Sequence, residues 1–174
     1  MIETWRTLVW QQFGAAIDML GNAIRACPAD HWHDAVWDDP TDAPGYTEFW
    51  FIAYHTLAWL DRYLSGAPAE FAPPPPFVRG RLPDQPYTQA EVLAYLEACR
   101  AKCRAIFAAL TEEEAMRVCR LPWEGGEALS FAELQLYNMR HVQEHAAQLS
   151  LHVGRAGGAA PDWVVRAEEG GRLA

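Results

Sequence analysis

No run of basic residues occurs in this 174-residue chain, where 14 Lys and Arg stand against 23 Asp and Glu for a net charge of -9. Neutralising phosphates supplies most of the affinity for nucleic acid, so the composition argues against such a partner. A long apolar run is missing too. The longest, "FWFIAYHTLAWL", has 12 residues and contains a histidine, against about 20 for a membrane-spanning helix. The N-terminal "MIETWRTLVWQQFG" has no basic n-region leading into an apolar h-region and a small-residue cleavage site, so a cytoplasmic, soluble protein is expected. The cysteines, Cys27, Cys99, Cys103 and Cys119, include no CxxC pair, which removes the zinc-knuckle and dithiol redox motifs. Cys99 and Cys103 share the stripe Leu96, Cys99, Cys103, Ile106, Leu110 and read as small hydrophobes on a buried helix face. No segment sustains the apolar-polar alternation of a half-buried strand.

What the chain has is helical periodicity and 51% hydrophobic residues. That is enough to bury one core without disulfides or a structural metal, so a metal bound here would be functional. Four segments are expected to be helical. Residues 2–26 end before Pro28, and residues 46–65 are closed by Gly66 and Pro68; residues 88–110 open with a Thr88 and Glu91 capping box, and residues 130–153 open with Ser130 and Glu133 and stop at Gly154. Residues 155–174 form a tail. Between the second and third helices lies "GAPAEFAPPPPFVRGRLPDQPY", 22 residues with seven prolines. A loop this long is explained if helices two and three run parallel, because the chain must then return the length of the bundle. An all-α four-helix bundle with that long crossover, one domain over residues 1–174, is the expected fold. Trp32, Trp37 and Trp123, in the other connections, are expected to cover the ends of the core.

The fourth helix carries Asn138, His141, His145, Gln148 and His152 at the three-four spacing of an inward-facing stripe. Buried polar groups without partners cost on the order of 1–3 kcal/mol each, so such a stripe calls for partners, water or a ligand. Imidazoles at i and i+4 converge on a point where a divalent cation can sit, at about 2.1 Å from each nitrogen, and a third ligand must come from another helix. His55, in the middle of the most apolar segment, is the candidate; alone, it would read as a hydrogen-bonded core histidine. His152 lies about 10 Å beyond His145 along the axis and cannot share the ion. His31 and His33 fall in a polar loop and read as solvated.

His55 in "FIAYHTLAWLDRYL", His141 with His145 in "YNMRHVQEHAAQLSL", and the long crossover resemble the DinB-like superfamily of four-helix bundles over residues 1–155. The resemblance implies one divalent transition metal, zinc, nickel or iron, held by His55, His141 and His145 with water completing the coordination. It also implies relatives that act as transferases or isomerases dependent on the thiols bacillithiol or mycothiol. It does not imply DNA binding. With the aromatic second helix, it suggests a homodimer.

Two functions are expected from these residues. In the first, the metal activates water or a low-molecular-weight thiol against a small-molecule substrate, as in a thiol S-transferase or hydrolase. Glu144 is then a candidate general base or imidazole orienter. Gln148 and Asn138 are candidates for orienting ligands or substrate, or form a polar face of the helix. Arg62 either holds an anionic substrate group or makes a surface salt bridge, and Phe51, Trp59 and Trp123 either line an apolar site or fill core. In the second, the chain is a non-catalytic small-molecule or metal-binding stress-response protein.

Overall fold

The computed structural model describes residues 2–41, 44–79, 81–157 and 159–167. Its elements are α1 (Ile2–Ala26), a single 3-10 turn (Ala29–His31), α2 (Phe49–Leu64), α3 (Gln89–Ala109), a short α4 (Glu112–Met116), a hairpin of β1 (Val118–Arg120) and β2 (Ala128–Ser130), and α5 (Phe131–Gly157). The four long helices form the expected bundle: α1 and α2 sit at opposite corners, and each packs against both α3 and α5.

Local signals explain the helix ends. At α3 the Thr88 side chain accepts from the Glu91 N–H while the Glu91 carboxylate accepts from the Thr88 N–H, so two otherwise unpaired donors are satisfied reciprocally. Gly66, at φ +86°, provides the left-handed turn that stops α2.

Side-chain cross-links set the helix directions. Trp50 meets Tyr87, Leu57 O accepts from Cys99, and Ser65 bonds Lys102, so both chains ascend together and α2 and α3 are parallel, as the crossover length requires. Asp61 of α2 anchors that pairing by accepting from Tyr95 Oη at 2.9 Å and pairing with Lys102. On the other side, α1 and α3 are antiparallel. Arg100 bonds Asp18 through Nε at 2.6 Å and Nη2 at 3.0 Å, an ion pair buried between them with the guanidinium over Trp10.

The crossover is more than a spacer. Phe77 is inserted among Tyr54, Tyr87 and Tyr95. Tyr54 Oη donates to Val78 O, and the Val78 N–H donates to Tyr87 Oη. This lays the proline-rich segment along α2. That helix is therefore wrapped by α3, α5 and the crossover, which is why it is apolar nearly all round.

Several expectations need correction. The connection between α3 and α5 contains the α4 turn and the hairpin, whose three-residue strands are too short to leave a periodic signal. Trp123, at the hairpin tip, is 49% exposed and covers no core, whereas Trp32 is buried. α2 starts at Phe49 because Glu48 is extended and bridged to Ala35. α5 runs through Gly154 to Gly157, since a glycine with Ala160 packed over it can stay helical. The tail returns along α1, where the Ala167 N–H donates to Gln11 O and Ala167 fills the space left by Gly14.

The polar stripe of α5 is also displaced from the core. The fully buried line is Leu134, Asn138, Val142, Ala146, Leu149 and Val153, while His141, His145, Gln148 and His152 lie on the adjoining, partly buried face. Each of these four directly precedes a buried apolar residue and is rotated by about 100° from it. The histidines thus flank the core, and His145 among them faces a cavity.

Candidate metal centre and its cavity

α2 and α5 run antiparallel: Gln135 Nε2 donates to Tyr63 O at 2.8 Å, and Asn138 Nδ2 donates to Leu60 O at 3.2 Å. Each residue stepped back along α2 is matched by one stepped forward along α5. His55 therefore comes level with Gln143, midway between His141 and His145. Its ring centroid is 5.5 Å from that of His141 and 5.3 Å from that of His145, and the α5 pair is separated by 4.6 Å. One ligand atom from each of the three lies within 4.8 Å of the other two. Nitrogens around one ion at about 2.1 Å stand about 3–4 Å apart, so modest side-chain rotation brings all three onto a cation.

The electrostatics favour neutral imidazoles. Burial, reinforced by His145, pushes the His55 pKa down to about 4. Burial, then His145 and His55, pushes His141 down to about 3. His145 is lowered mainly by burial, opposed by its bond to Gln148. Its Nδ1 donates to Gln148 Oε1 at 2.7 Å, which assigns the proton to Nδ1 and leaves the Nε2 lone pair free. His141 Nδ1 is buried without a hydrogen-bond partner. A ligand tautomer held by an amide and an orphaned buried nitrogen beside it fit a divalent cation.

A family model of the DinB superfamily matches residues 12–149. The chain belongs to the DinB superfamily. The match begins in α1, ends in α5, and includes the crossover and all three clustered histidines. A search among curated proteins returns no match. Membership accords with the observed all-α bundle; the activity must be argued from the site.

His55 and His145 open onto a cavity of about 550 Å³. Phe51, Trp59 and Tyr46 contribute aromatic walls, Trp37 comes from the α1–α2 connection, and Phe71 and Pro73 close it from the crossover. Of the three aromatic residues expected here, Phe51 and Trp59 line the cavity and Trp123 does not.

The remaining candidates are placed as follows. Gln148 touches the cluster through His145. Asn138 and the fully buried Gln135 turn their amides toward carbonyls in the last turns of α2, and Asn138 Nδ2 also reaches Gln135 Oε1 at 3.3 Å. Glu144 is exposed and acts on His145 only through its charge. Arg62 lies buried in the cavity wall and makes no salt bridge among the described residues. His152 packs on Phe49, and His31 and His33 pair with Asp34 and Glu48.

Sequence reasoning missed Gln135, whose amide stands one turn before Asn138, and Arg79 with Arg81, which also line the cavity. The signal for the arginines was "VRGR" in a loop otherwise read as a spacer.

Proposed function

We propose that the chain binds one divalent transition metal, zinc, nickel or iron, through His55, His141 and His145 and acts on a small molecule held in the adjoining cavity. The observation that carries this is the meeting of three imidazoles from two helices, two of them, His55 and His145, in the wall of an aromatic cavity. A cation held there would lower the pKa of water or a low-molecular-weight thiol, providing a nucleophile near neutral pH, as a thiol S-transferase or hydrolase needs.

The chain's own side chains support an external nucleophile. All four cysteines are buried, and burial raises every thiol, Cys27 to about 12 and Cys99 well above the ordinary value. None is a thiolate at neutral pH. Gln148 orients His145, and the aromatic walls exclude water from the substrate's apolar part. In this reading Glu144 takes part only by stabilising charge on His145, and Asn138 holds α5 in register with α2.

One observation favours the non-catalytic alternative, a small-molecule or metal-binding stress-response protein. No carboxylate is found among the described residues lining the cavity, so no acidic general base stands beside the histidines. Among the described residues no helix is long and apolar enough to cross a membrane, and with the net charge this supports a cytoplasmic protein without membrane or nucleic-acid partners. A homodimer rests on the family resemblance alone, since most aromatic residues of α2 are buried within the protomer.

Metal analysis of tag-free protein tests the reading. About one equivalent of transition metal per chain is expected, and its loss from His145→Ala. Wild type that takes up none after incubation with zinc, nickel and iron would overturn it. Thiol consumption with an electrophile on metal-loaded protein then separates the enzyme from the binding protein.

A further inference from the structure

We propose that Arg62, Arg79 and Arg81 form the anion-binding end of the cavity, and that its ligand is an amphipathic organic monoanion with an aromatic or aliphatic body and one carboxylate or sulfonate group.

All three arginines line the cavity that His55 and His145 enter, Arg62 from a buried position and Arg79 and Arg81 from exposed ones. Arg62 is 5% exposed. Its Nε donates to Pro68 O at 3.2 Å, its Nη2 to Ala69 O at 3.5 Å, and its guanidinium stands over Trp59. Arg79 Nη1 donates to the same Ala69 carbonyl at 2.5 Å and to Phe71 O at 2.8 Å. Two cations thus converge on one neutral oxygen, and neither has a carboxylate partner among the described residues. Arg81 approaches only Asp84, at 3.9 Å, with both side chains largely exposed.

A buried cation next to another, without a counterion, is unfavourable unless something supplies the negative charge. Burial lowers the Arg62 pKa first and Arg79 lowers it further, the expected mark of uncompensated positive charge. The site is local, because the chain as a whole carries a net charge of -9 and repels anions. Guanidinium groups bind carboxylate and sulfonate oxygens through paired N–H donors. Between Arg62 and His55 the α2 wall is Ala58 and Trp59, and beyond His55 it continues as Phe51 with Tyr46 packed on it, so the ligand's body is apolar. Seven residues separate His55 from Arg62 on α2, about 10 Å along the axis, which sets the length of a ligand reaching both.

This assignment extends the metal-dependent reading by naming its substrate class, and its test is independent of the metal. Metal-free full-length protein is titrated with 8-anilinonaphthalene-1-sulfonate and with the uncharged N-phenyl-1-naphthylamine, following fluorescence. Arg79→Met and Arg81→Met should each weaken the sulfonate by about fivefold or more, as expected for loss of a charge-assisted contact, and leave the neutral probe within about twofold. Arg79→Lys should retain most of the binding, and circular dichroism verifies that each variant is folded. Octanoate should displace the sulfonate, whereas octanol and inorganic phosphate at equal concentration should not. Unchanged sulfonate affinity in both methionine variants overturns the proposal. Equal displacement by octanol removes the anionic requirement, and equal displacement by phosphate removes the apolar one; either result also overturns it. Because no metal is present, a negative result leaves the metal proposal standing, and loss of metal from His145→Ala leaves this one standing.

Discussion

His145 Nδ1 donates its proton to Gln148 Oε1 at 2.7 Å, one turn along α5. The bond makes Nε2 the free lone pair of an imidazole that would otherwise exchange tautomers. Replacing Gln148 by Leu removes that preference without touching a candidate ligand. Zinc affinity, measured by competition with a chelator, should fall by about 10- to 100-fold, while Gln148→Glu, which keeps an acceptor, should bind at least as well as wild type.

Acidification should destabilise the metal-free protein through the same cluster. In the unfolded chain the imidazoles titrate at the ordinary value of 6.5, whereas folded His55 and His141 titrate at about 4 and about 3. Between these limits the unfolded state binds more protons. Stability is therefore complete above 6.5 and is lost as pH falls toward the folded values. The melting temperature of metal-free protein should drop from pH 7 to 4.5, and by less in His141→Leu.

At pH 7 the same His141→Leu substitution removes a buried nitrogen that lacks a partner. Without metal it should stabilise the fold by about 1 kcal/mol in urea unfolding. With saturating zinc the order should reverse, because only wild type gains binding energy. A variant less stable than wild type without metal would show that the nitrogen has a partner in solution.

The Asp18–Arg100 pair carries the α1–α3 interface. Arg100→Met leaves the Asp18 carboxylate buried without its bidentate partner and should cost about 3–5 kcal/mol. Urea denaturation, with the exposed α3 residue Arg104 replaced by Met as a control, measures it.

The thiols should be silent in the native state. Ellman's reagent should label none of Cys27, Cys99, Cys103 and Cys119 within minutes at pH 7.5, and all four in denaturant, since burial suppresses each thiolate. Rapid labelling of one native cysteine would reopen the case for a nucleophile in the chain.

Much of this protein follows from its sequence alone. The four long helices are local products of apolar periodicity, of Thr88 with Glu91, and of Gly66, because caps and helical faces depend on neighbours within a turn. The pairing of His141 with His145 is equally local, since four residues make one turn. The parallel course of α2 and α3 also follows, because the length of the crossover permits it. Tertiary structure decided the rest. Whether His55 stands level with that pair depends on the α2–α5 register, which Gln135 and Asn138 set by bonding Tyr63 and Leu60 across the interface. Those contacts join residues more than seventy positions apart, beyond the reach of any periodic pattern. The same holds for the core line of α5, where the neighbouring stripes 141–145–148 and 142–146–149 differ by one residue and only packing against α1 and α2 selects the second. Arg79 and Arg81 acquire a role only because Phe77 pins the crossover against Tyr54 and Tyr95, turning a spacer into a wall of the cavity.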